Sequence, residues 1–133
     1  MISKLTYVGD LRTEAVHLGS GNSIVTDAPK DNEGKGEAFS PTDLVATALA
    51  SCMMTIMGIV ARRDGMNIDG LTAEVDKIMS QSPRRIGEIK VRLIFQNPLN
   101  DLEREKLERA AYTCPVSGSL HEDLKETIEF VYE

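Results

Sequence analysis

At 133 residues the chain has the length of one domain, and residues 1–133 are expected to form a single one. Fifteen Lys and Arg against 21 Asp and Glu leave a net charge of −6, so there is no general phosphate-neutralising surface and nucleic acid is excluded as a first expectation. The only two cysteines, Cys52 and Cys114, stand 62 positions apart, which rules out a disulfide scaffold and any Cys-x-x-Cys zinc or redox pair.

The first residues, Met1 to Asp10, alternate like a short strand and carry no basic region followed by an apolar run, so a cytoplasmic protein is expected. Turn signals at Gly9-Asp10 and at Gly19-Ser20-Gly21-Asn22 divide residues 2–9, 11–18 and 22–27 into three antiparallel strands. Ala28 to Phe39, with Pro29, Gly34, Gly36 and five charges, reads as a polar loop long enough to act as a lid. Ser40-Pro41-Thr42-Asp43 then supplies a capping hydroxyl, a proline at the first helical position and a carboxylate in the first turn, and a helix is expected from Pro41 to about Arg63.

Eighteen consecutive uncharged residues, Leu44 to Ala61, make that helix apolar on nearly every face. Hydropathy alone would mark a membrane span. The amphipathic strand patterns on either side favour a buried core helix instead, and a second copy of the chain would cover the faces that one small domain leaves wet. Beyond Gly70, residues 71–79 and 86–95 alternate as a hairpin that should continue the sheet. Asn100 or Asp101 caps a second helix through Tyr112, with Leu102, Leu107, Ala110 and Ala111 on its apolar side. Cys114-Pro115-Val116 opens a short helical turn to about Asp123, and residues 127–132 form a last strand. The order βββ-α-ββ-α-α-β is that of an α+β fold.

Each thiol can be a small buried hydrophobe. Cys114 has a second reading: at the start of a helix its sulfur faces unpaired backbone N–H groups, which favour the thiolate. His17 and His121 share no ligand spacing with either cysteine, so no metal site and no cofactor are expected.

Ser40-Pro41-Thr42-Asp43-Leu44, with Cys52 eleven positions after the proline, and Cys114-Pro115-Val116-Ser117-Gly118-Ser119-Leu120 together give a pattern more specific than either cysteine alone. In these segments the chain resembles the family of osmotically inducible protein C and the organic hydroperoxide resistance proteins. The likeness extends to Gly9-Asp10-Leu11-Arg12 and to Ile24-Val25-Thr26-Asp27-Ala28-Pro29. It implies an intertwined homodimer with the long helices at its centre, acting as a thiol peroxidase on organic hydroperoxides and recycled by a dithiol reductant such as lipoyl groups. It assigns Cys52 as the peroxidatic thiol, Cys114 as the resolving thiol and Arg12 as the activating cation.

Read from the residues alone, Arg12 is equally a solvated strand-end side chain, and Arg62 and Arg63, about 15 Å along the helix from Cys52, fit a role at the helix C-terminus. The acid departs from the hydroperoxide-resistance pattern. Those members place a glutamate directly after the proline, where this chain has Thr42, with Asp43 one step later. Asp43 and Cys52 point about 180° apart on one helix, so only a partner's Asp43 could join the site. Otherwise Asp43 stabilises a helix start, and Arg12 is held by backbone or by a loop residue such as Glu33 or Glu37. Two other functions stay open: a non-catalytic dimer binding a small ligand or acyl group in an apolar pocket, and an interaction protein with inert thiols.

Overall fold

A computed structural model describes residues 1–133. Contacts divide the chain into two compact units, Met1–Val45 and Ala46–Glu133. In the first, β1 (Ser3–Gly9), β2 (Arg12–His17) and β3 (Ser23–Asp27) form an antiparallel meander. Gly9 pairs with Arg12 across a two-residue turn in which Asp10 and Leu11 both take positive φ, 53° and 62°. That is the primed geometry whose twist matches a hairpin, here with a leucine where glycine or asparagine is the unstrained choice.

The segment after β3 is the polar loop that its composition predicts, folded back on itself. One 3-10 turn, Lys30–Asn32, folds it back. The amides of Gly34 and Gly36 donate to the carbonyls of Pro29 and Ala28, and the Asp27 amide donates to Phe39 O at 3.0 Å. A Cβ at Gly34 would lie 1.7 Å from Ala28 O, so the close backbone approach requires glycine there.

The second unit is built on α1 (Pro41–Asp64), which begins at the end of the first. Its buried residues, Ala46, Leu49, Ala50, Met53, Met57 and Ala61, recur at helical spacing and so form a single stripe. The sheet of this unit holds β4 (Thr72–Ser80), β5 (Arg85–Phe95) and β6 (Lys125–Tyr132) in that order. It is a sheet of its own and does not continue the first. Alternation shows that a segment is a strand but does not name the neighbour with which its ladder forms. β4 and β5 are antiparallel; β6 runs parallel to β5, an arrangement that needs a crossover, supplied by α2 (Asp101–Ala111) and α3 (Pro115–Ser119).

Central strand β5 buries Ile89, Val91, Leu93 and Phe95, its alternate residues, in the core with the α1 stripe, Leu107 and Ala111. On the other face, Arg92 bridges Glu74 of β4 and Glu129 of β6. Asn100 caps α2 in a reciprocal box with Glu103. Leu102 does not join the apolar side of this helix. It is 74% exposed, because five residues of rotation set it about 140° from buried Leu107, and Leu99 from the preceding turn fills the core instead.

Candidate active site

The thiol pair lies within the second unit. Cys52 sits midway along α1 and is half-buried; Cys114, just before α3, is 2% exposed. Folding packs Cys52 against the core that holds Cys114, close enough for Cys52 to bear on the Cys114 thiol, and both are free thiols. Pro115 starts α3 with its fixed φ, and the Cys114 sulfur caps the turn by accepting from the Ser117 amide at 3.3 Å.

That amide faces the sulfur as a helix start would have it, but the expected thiolate does not follow. Burial pushes the Cys114 thiol above its ordinary value; the Ser117 amide pulls the other way and the neighbouring Cys52 adds to the rise. Removing a charge from water outweighs one or two N–H donors. Cys114 therefore rests as a neutral thiol, suited to wait for an electrophilic sulfur rather than to attack first.

The cation belongs to the first unit. The tight turn places Arg12 at the start of β2, directly across from Asp27 at the end of β3. Its guanidinium meets Asp27 Oδ2 at 3.2 Å and Glu37 Oε1 at 3.3 Å, and the Glu37 amide donates to the same Asp27 oxygen at 3.0 Å. Chiefly through that amide, and then through Arg12, the Asp27 carboxyl is held below its ordinary value against the opposing effect of burial. Asp27 is the buried acid that reading the residues missed. The signal was available, since pairing residues 11–18 with 22–27 sets opposite charges face to face at positions 12 and 27. Glu37 is one of the two loop residues expected to hold Arg12; Glu33, the other, closes the 3-10 turn in a left-handed conformation.

Asp43 closes a reciprocal box at the start of α1: its Oδ2 accepts from the Ser40 amide at 2.9 Å, while its own amide donates to Ser40 Oγ at 3.1 Å. Ser40 is buried. No group of three or more His, Cys, Asp or Glu side chains is placed to hold a metal ion.

A sequence model of OsmC-like proteins matches residues 34–129, a span that takes in the end of the loop, the proline-led helix and both cysteines. The chain belongs to the OsmC-like family. No curated protein matches it. Among solved structures, one from Psychrobacter arcticus 273-4, provisionally described as an osmotic stress induced and detoxification response protein, shares 52% identity at a TM-score of 0.94. The match covers 98% of this chain and 95% of that one. Two organic hydroperoxide resistance proteins share the OsmC-like fold at 19% identity. That of Legionella pneumophila has a TM-score of 0.73, with 98% of this chain and 95% of that chain covered. OhrB of Bacillus subtilis has a TM-score of 0.69, with 98% of each chain covered.

Proposed function

We propose that this OsmC-like protein is a thiol-dependent peroxidase for organic hydroperoxides. The observation that carries the reading is the nearness of two free thiols from positions 62 apart, one half-buried and one buried. In the first step the Cys52 thiolate attacks the distal oxygen of the hydroperoxide; the O–O bond breaks, the alkoxide takes up a proton and leaves as an alcohol, and Cys52 becomes a sulfenic acid. In the second, Cys114 attacks that sulfur, its proton leaves with the displaced hydroxide as water, and a Cys52–Cys114 disulfide forms. A dithiol such as a dihydrolipoyl group then reduces the disulfide and is itself oxidised to a cyclic disulfide.

Arg12, held by Asp27 and Glu37, is the cation proposed to favour the Cys52 thiolate, and a partner's Asp43 the acid proposed to join it. A homodimer is part of the reading. Six of the seven β1 residues are exposed in the single chain, among them Leu5, Tyr7 and Val8, and only one stripe of α1 is buried, which leaves apolar surface for a second copy to cover.

The test is stoichiometric. A slight excess of cumene hydroperoxide added to the reduced protein is expected to remove both thiols of each chain and leave an intramolecular disulfide, readable by mass spectrometry. Cumene hydroperoxide is also expected to react faster than hydrogen peroxide. Two thiols that survive the treatment overturn the reading. One observation favours a second reading, the binding of an apolar ligand without turnover: an apolar cleft of about 430 Å³ lies between α1 and β4, lined by Ala50, Met54, Ala73 and Val75 among others. Saturable binding of a fatty-acyl probe by a protein whose thiols ignore hydroperoxide would select it.

A further inference from the structure

Strand β6 turns Glu126, Ile128, Phe130 and Tyr132 to the same face, and the last three pack against the core. A carboxylate in that row is costlier than an apolar side chain. Glu126 is half-buried, and its Oε1 accepts from the Ser117 hydroxyl at 2.7 Å. The amide of that same Ser117 donates to Cys114 Sγ. A chain of hydrogen bonds therefore runs from β6 through Ser117 to the buried sulfur, beside which Cys52 packs on the core.

The short helix that carries this chain has little else to hold it. None of the five residues of α3 is buried; Val116 and the following Leu120 are only half-buried against the core. A single turn with so small an apolar anchorage frays readily, and the Glu126 carboxylate ties its middle residue to a strand of the sheet.

We propose that Glu126 is a positioning residue for closure of the Cys52–Cys114 disulfide, acting through Ser117 to hold Cys114 against Cys52. The proposal rests on the peroxidase reading for its place in a reaction, but its geometry concerns only how the two thiols join. Glu126 touches neither sulfur and takes no part in attack on the peroxide. Its loss is expected to spare the first step and slow the second. The sulfenic acid then waits longer and is exposed to a second equivalent of peroxide, which carries it on to sulfinic acid.

The experiment follows the two steps separately in the full-length protein, wild type and Glu126→Ala, Glu126→Gln and Ser117→Ala. Sulfenic acid formation with cumene hydroperoxide is expected to stay within about twofold of wild type, while disulfide closure slows about ten- to a hundredfold in Glu126→Ala and Ser117→Ala, the scale of a small misplacement of reacting atoms. Under excess hydroperoxide both variants accumulate sulfinic acid on Cys52. Glu126→Gln keeps an oxygen that can accept from Ser117 and is expected to restore most of the closure rate, and the double variant Ser117→Ala/Glu126→Ala to be no slower than either single one. Closure that is unaltered in Glu126→Ala, or slowing that adds in the double variant, overturns the proposal.

Diamide, which oxidises dithiols without peroxide, separates this from the reading on which it rests. If hydroperoxide leaves the wild-type thiols intact while closure by diamide still depends on Glu126, the peroxidase reading fails and the positioning role stands. If hydroperoxide forms the disulfide and closure by either oxidant ignores Glu126, the positioning role fails alone.

Discussion

Cys52 and Cys114 are one element by periodic table and two by environment. Cys114 is buried and its thiol is pushed up from an ordinary value of 9.0, chiefly by burial, so the folded state favours the neutral form. A group raised on folding contributes stability that is fully present below its unfolded value and is lost as pH rises through the folded one. Urea midpoints of the reduced protein are therefore expected to decline above about pH 9, with the decline reduced in Cys114→Ser. Iodoacetamide on the folded, reduced protein should label Cys52 before Cys114, and mass spectrometry of the time course checks the order. For Asp27 the sign is opposite: a lowered carboxyl contributes stability above its ordinary value of 3.8 that is lost as pH falls through the folded one. Arg12→Ala is expected to slow the hydroperoxide reaction at neutral pH, with part of the rate returning at higher pH, and Asp27→Asn to do so more mildly by loosening the guanidinium. An unchanged single-turnover rate in Arg12→Ala would remove that cation from the mechanism. Asp43→Asn divides the two roles open to that residue. A helix-start carboxylate predicts a loss of about 0.3–1 kcal/mol in urea unfolding with an unchanged rate, whereas a site acid contributed by the partner predicts a slower rate.

The helices and strands show where an apolar residue in the right period still fails to be core. On α2, Leu107 has no exposed surface and Leu102 is largely exposed. Leu107→Ala is expected to cost about 2–5 kcal/mol and Leu102→Ala close to nothing, since only the first leaves a cavity. Urea denaturation with equal slopes would measure both. The same helix is tied to β6 by the Tyr132 hydroxyl, which donates to Glu108 at 2.5 Å, while Arg104 lies over the Tyr132 ring, 4.2 Å from its centre. In the first unit, Gly34→Ala is expected to disrupt the folded-back segment, because its Cβ would meet backbone rather than a mobile side-chain end.

Across the whole molecule, apolar surface is the unfinished business of the single chain. By length and composition α1 could cross a membrane, yet a core helix passes the same test, and its buried stripe packs on β5 in an OsmC-like fold. What remains exposed on α1, Val45 and Ile59 among it, and on the first sheet is what a second copy would cover. Sedimentation at micromolar concentration is expected to show a homodimer, and a stable, monodisperse monomer would refute it.

Local chemistry made much of this legible from the residues alone. Turn glycines, the alternation of β4 and β5, Pro41 and Pro115 at helix starts and the Asn100–Glu103 box act within a few positions, so their elements emerged within one or two residues of where they lie, except that α3 ends at Ser119 and not near Asp123. The cysteine-bearing segments carried the family because their spacing is itself a local property. Everything that depends on which distant segments meet was decided by tertiary structure. Two sheets form rather than one, because periodicity does not choose a ladder partner. Cys114 is a raised, neutral thiol because burial, which no helix start reveals, outweighs the amide that faces it. Arg12 pairs with Asp27, and Glu126 reaches Cys114 through Ser117, because strand register and a crossover bring together groups that the chain keeps apart.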